Sequence, residues 1–135
     1  MRRAEIVAHL RQVLQEEVPE VKHVDLWNHN VEFIEQETPW ERPAVFVEFG
    51  EVVWDGHQNR SLRGQGTLLL HVVTDFAGDG ALWHAFELTD RVVRAVYCTS
   101  GQGFDIGMLQ RTLTCHNHEE LVENIEEFNL RYFRF

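Results

Sequence analysis

What this chain can become is constrained most by one stretch, Gly64 to Tyr97. It reads GQGTLLLHVVTDF, then AGDG, then ALWHAFELTDRVVRAVY. A run of Leu and Val interrupted only by His71, with this length and β-branched content, predicts a central strand. AGDG is turn chemistry. Asp79 stands where a carboxylate can accept the free N–H groups of a helix's first turn. In the segment that follows, Leu82, Ala85, Phe86, Thr89, Val92, Val93 and Val96 recur at helical spacing. A buried strand and an amphipathic helix joined by so short a link predict that the helix folds back onto the sheet, with Phe86 facing it.

The flanks supply the rest of that sheet and a second helix. Ala4–Glu17 carries Ile6, Val7, Leu10, Val13 and Leu14 on one stripe, and Pro19 ends it. Val21–Asn30 alternates and reads as a strand, and 31–43 (VEFIEQETPWERP) reads as a connecting loop. Ala44–Trp54 is a strand with apolar residues on both faces. One face is then core, and the other is expected to be covered by a second subunit. Met108–Cys115 and Ile125–Phe135 are two further strands, separated from the second helix by a loop, CTSGQGFDIG. The order helix, strand, strand, strand, helix, strand, strand, with hairpin links, predicts an α+β fold: an antiparallel β-sheet with two α-helices packed on one face. At 135 residues the chain suits a single domain, 1–135, with one core.

Charge narrows the partners. Twelve Lys and Arg face 22 Asp and Glu, a net charge of −10. Nucleic-acid binders usually show a basic patch, so direct, sequence-specific nucleic-acid binding is not expected. An acidic lining of a passage through which DNA slides is compatible with this charge. No apolar run approaches the ~20 residues that cross a bilayer, so no membrane partner is expected, and MRRAEIVAHL turns polar too soon for a signal peptide. Two cysteines, Cys98 and Cys115, make no disulfide framework and point to a reducing compartment.

The search for chemistry returns little. Cys115, His116, His118 and Glu119 do not have a zinc spacing, and neighbouring strand residues point to opposite faces, so no metal site is expected. His71 reads as a satisfied core or interface histidine rather than a catalyst. Cys98 follows a helix end, where nothing lowers a thiol's pKa. Gly101-Gln102-Gly103 lacks a dinucleotide loop's third glycine and preceding strand, and there is no Walker lysine. No catalytic residue and no cofactor is expected, which favours binding or assembly over an enzyme. One segment remains, DGHQNRSLRGQG (Asp55–Gly66). It reads as a long polar hairpin loop, with Arg60 and Arg63 a patch of opposite sign on an acidic protein. Together with His57 these are the candidate partner-binding residues, at a tube or ring interface; the competing reading is a solvated loop without a partner.

As a whole the chain resembles the tail terminator (tail completion) proteins of long-tailed phages, of the lambda minor tail protein U type. The resemblance lies in the helix AEIVAHLRQVLQEEVPEV before a strand, the Pro-bearing TPWERPAVFVEF, the polar hairpin before RSLRGQGTLLLHVV, the helix ALWHAFELTDRVVRAV, and the closing MLQRTLT and IEEFNLRYFRF. It implies a structural protein without catalytic residues. That protein forms a homo-oligomer, a hexameric ring, which ends tail-tube growth and offers a surface to the head-side connector protein. Its other partner is the tail tube protein, and its place is the virion tail, assembled in the bacterial host cytoplasm. The alternative from a different class is a non-phage dimeric domain that binds a ligand or protein through the second face of its sheet. A third, a small-molecule enzyme, would need a deep pocket with convergent polar groups.

Overall fold

A computed structural model describes residues 3–28, 40–56, 60–76, 80–118 and 120–133, with the backbone alone at 116–118. Two helices, α1 (Arg3–Glu17) and α2 (Ala81–Val96), accompany six strands: β1 (His23–Leu26), β2 (Ala44–Gly56), β3 (Leu62–Asp75), β4 (Ser100–Gly101), β5 (Phe104–His118) and β6 (Leu121–Tyr132). The strands form one mixed sheet in the order β1-β2-β3-β6-β5-β4. The fold is α+β, as expected, but the sheet is not antiparallel throughout. β1 runs parallel to β2, His23 opposite Ala44 and Leu26 opposite Val47. A hairpin cannot join parallel neighbours, so the chain between them must cross over. Trp27 and Trp40, at the two ends of that crossing, pack against a small cluster of Ala44, Phe46, Val73 and Leu121. At this end the second face of the sheet is packed by Trp27 and Trp40 of the chain itself.

The larger core lies on the other face. Alternate strand residues Val45, Val47, Leu68, Leu70, Val72, Phe128, Leu130 and Tyr132 meet Ile6, Leu10 and Leu14 of α1 and Leu88, Val92 and Val96 of α2. Burial of each such side chain contributes about 1.5–3 kcal/mol. α1 ends as expected before Pro19, the Val18 N–H still donating to the Leu14 carbonyl at 2.8 Å.

α2 lies in a different register from the one expected. Its buried stripe is Ala81, Ala85, Leu88, Thr89, Val92 and Val96. Leu82 and Phe86 are 43% and 44% exposed, so Phe86 does not face the core. Small side chains let a helix backbone approach the sheet closely, and the bulkier residues are displaced to its flank. Gly80, with φ 82°, holds the N-cap position; Asp79 lies outside the described residues.

Several boundaries also differ: β5 runs on to His118 beyond the expected end at Cys115, and β6 begins at Leu121 rather than Ile125 and ends at Tyr132. The ladder of β2 and β3 continues through Asp55 opposite Arg63 and Gly56 opposite Leu62. The long loop expected over Asp55–Gly66 is thus mostly strand, since backbone pairing does not require apolar side chains. The expected loop after α2 contains β4 and the start of β5, where Ser100 pairs with Asp105. The strand expected over Val21–Asn30 contracts to His23–Leu26. Where β2 shifts register between Phe49 and Val52, it faces Gly66. A Cβ on Gly66 would stand 2.6 Å from the Glu51 carbonyl oxygen, so this backbone approach requires glycine.

Candidate functional site

The hairpin of β2 and β3 carries the sequence-derived candidates. Arg60 sits in the turn with φ 62°, a left-handed conformation, and is exposed. Arg63 lies on β3 rather than in a loop, exposed and opposite Asp55. His57 is outside the described residues. Arg63 therefore stands on the ladder-bound arm, and Arg60 lies just beyond its end.

A second polar constellation was not legible in the sequence. His71, at the centre of β3, is buried between two carboxylates. Its Nε2 is 2.7 Å from Glu48 Oε1 on β2, and its Nδ1 is 3.2 Å from Glu123 Oε1 on β6. The ring is thereby tied by hydrogen bonds to the strands on both sides of β3. The Trp27 ring stacks on His71 at 3.8 Å between centroids and 4° between planes. His71 is a satisfied core histidine, as expected. It also seats Trp27, just after β1, on the second face of the sheet. Glu48 within an otherwise apolar strand was the available signal.

On the α2 side a further polar patch joins β5 and β6. The Thr112 hydroxyl donates to Glu126 Oε2 at 2.5 Å, and the Thr114 hydroxyl to Asn124 Oδ1 at 2.7 Å. Burial pushes the Glu126 carboxyl up, the Thr112 bond opposes this, and the Asp90 carboxylate of α2 adds to it. Elsewhere on α2, Leu82 and Phe86 are about half-exposed, and Trp83 is 76% exposed.

Of the residues weighed for metal or thiol chemistry, Cys98 is exposed and Cys115 half-buried. Burial, and secondarily the Glu123 carboxylate, raise the Cys115 thiol, which disfavours a thiolate ligand or nucleophile. The side chains of His116 and His118, and Glu119 entirely, lie outside the described residues. Among the described residues no group of three His, Cys, Asp or Glu could hold a metal ion. A hollow of about 380 Å³ on the second face, lined by Gln65, Gly66, Gly107, Met108, Asn129, Leu130 and Arg131, brings together no acid–base pair or nucleophile. No helix is long and apolar enough to cross a membrane.

These surfaces are those of a small α+β protein with exposed apolar and charged side chains. No family model and no curated protein matches the sequence. Among solved structures, the chain is similar to one in the virion of a native gene transfer agent particle. The TM-score is 0.64 at 15% identity, over 94% of this chain and 97% of that one. The two chains share a fold over nearly their whole lengths.

Proposed function

We propose that this protein is a structural component of a phage-type virion, and specifically a tail terminator. It would assemble as a hexameric ring that caps the tail tube and forms the surface joining it to the head-side connector. The observation that carries the reading is the shared fold with a virion chain, which spans both chains almost end to end. The net charge of −10 is compatible with a ring through which DNA passes without sticking. On this reading the protein acts by assembly and catalyses nothing, and its site is the virion tail, reached from the host cytoplasm. The hairpin arm with Arg60, Arg63 and His57 is assigned to contact with the tube or with a neighbouring subunit, where complementary charge gives orientation and specificity.

The test is complementation of a phage or prophage that lacks the gene, with tail lengths measured by electron microscopy. Tubes of abnormal length should accumulate without the protein and become normal with it. Arg60→Glu combined with Arg63→Glu should leave the fold intact and fail to restore length. Normal tails in the absence of the protein would overturn the function; normal tails with the double variant would remove the hairpin from it.

A further inference from the structure

The first two turns of α2 carry an apolar patch that the core does not use. Leu82 is 43% exposed, Trp83 76% and Phe86 44%. Trp83 stands nine residues before buried Val92, two and a half turns of helix, and so points away from the core. Leu82 stands nine residues before Arg91, which pairs with Glu20 just beyond α1, so Leu82 lies on the side of α2 turned from that contact. Phe86 is four residues from Leu82 and three from Trp83, which makes the three neighbours on the helix surface. Glu87 and Asp90, four residues beyond Trp83 and Phe86 respectively, are exposed beside them. The first ten residues of α2 hold no Lys or Arg. The patch is therefore aromatic with an acidic rim.

The hairpin arm of β2 and β3 is its counterpart. Between Asp55 and Gly66 two arginines, Arg60 and Arg63, stand against one acid, Asp55. Both arginines are exposed. Arg63 is opposite Asp55, and Val53, two residues from Asp55 and so on the same face of the arm, is 66% exposed. The arm thus presents guanidinium groups beside an apolar side chain, and a guanidinium is attracted to the face of an indole as well as to carboxylates. The two surfaces lie at opposite ends of the subunit. β3 leads from Leu62 in the arm to Asp75, about 40 Å away at the rise of an extended strand. α2 starts shortly after, at Ala81, and returns toward the arm. Beyond its end the Thr99 carbonyl accepts from the Ile106 N–H, Ile106 pairs with Leu130, and Leu130 pairs with Gly66. The patch therefore occupies the end of α2 remote from the arm, and an arm cannot reach the patch of its own subunit.

We infer that the arm of one subunit, through Arg60, Arg63 and Val53, docks on the patch of Leu82, Trp83, Phe86, Glu87 and Asp90 of the next. The occupant of the patch is a second copy of this chain, selected by opposite charge and by an apolar group on each side. Trp and Arg are the residues that most often carry the energy of such contacts. Arm and patch are different surfaces at opposite ends, so the contact is head-to-tail and repeats until the rotation closes a ring, whereas a two-fold contact stops at a dimer. This inference rests on the ring reading and adds to it the two surfaces by which neighbouring subunits meet.

The test uses two charge reversals in the full chain, Arg60→Glu with Arg63→Glu on the arm and Glu87→Arg with Asp90→Arg on the patch. Molar mass by light scattering should show the wild-type assembly lost to monomers in each reversal alone. An equal mixture of the two should regain it, since each reversed arm then meets a reversed patch and each native arm a native patch. One chain carrying all four changes should regain it as well, and Trp83→Ala should lose it. Circular dichroism and Tm should be nearly unchanged throughout, because all five side chains are exposed. An assembly of several 15.9-kDa subunits that persists in either reversal or in Trp83→Ala overturns the docking and leaves the ring reading standing. Loss in each reversal without recovery in the mixture or the fourfold variant overturns the pairing of arm with patch. A wild-type species that ends at dimers overturns head-to-tail contact. A wild-type chain that stays monomeric at all concentrations overturns the docking and the ring together.

Discussion

The register of α2 can be tested by a pair of truncations, Leu88→Ala and Phe86→Ala. Both replace an apolar residue by the best helix former, so helix propensity does not oppose either change. They differ in what surrounds the side chain. Leu88 is buried in the main core, and its truncation loses the transfer term and leaves a cavity, about 2–5 kcal/mol together. Phe86 is roughly half-buried on the flank and opens to solvent, so no closed cavity forms. Losing about half of the ~1.5–3 kcal/mol of full burial costs ~1 kcal/mol or slightly more. For 135 residues, an unfolding entropy of about 2.1 cal/mol/K per residue sums to about 0.28 kcal/mol/K. The expected fall in Tm is therefore about 7–18 °C for Leu88→Ala and about 4–5 °C for Phe86→Ala. Thermal unfolding followed by circular dichroism, at one protein concentration for all variants, measures both. A larger fall for Phe86→Ala than for Leu88→Ala refutes the register and with it the exposed flank of α2.

Two further outcomes are expected from the buried polar groups. Glu126 has its carboxyl raised chiefly by burial, so between its unfolded and folded pKa values the native state holds more protons than the unfolded one, and stability falls as pH rises through that window. Glu126→Gln should raise Tm at pH 8 and lose that advantage near pH 4, where the carboxyl is protonated in both states; an equal shift at both pH values refutes the burial argument. His71→Ala leaves buried Glu123 without its imidazole hydrogen-bond partner and Trp27 without its stacking ring, and should cost about 1–3 kcal/mol in urea unfolding and shift the tryptophan emission to longer wavelength; unchanged emission would detach Trp27 from that face.

The sequence by itself determined the elements whose signal is local. α1 with its stripe and its stop at Pro19, β2, the core of β3 and the existence of α2 all follow from periodicity and turn chemistry, because each is formed by neighbours along the chain. Periodicity left the direction of a stripe ambiguous. In α2 the apolar residues span more than one face; Ala85, Thr89, Val92 and Val96 are buried as expected, but contact with the sheet buried Ala81 and Leu88 in place of Leu82 and Phe86. Strand direction was likewise invisible, because β1 next to β2 reads the same whether parallel or antiparallel, and only the crossing of Trp27 and Trp40 over Phe46 decided it. Arg60 and Arg63 were legible as exposed charge, yet Arg63 proved to be paired strand, because the backbone ladder extends through polar residues. His71 was visible as a polar residue in an apolar run. Its partners, Glu48 and Glu123, lie 23 and 52 residues away, and only strand pairing brings such distant charges within a hydrogen bond of one ring.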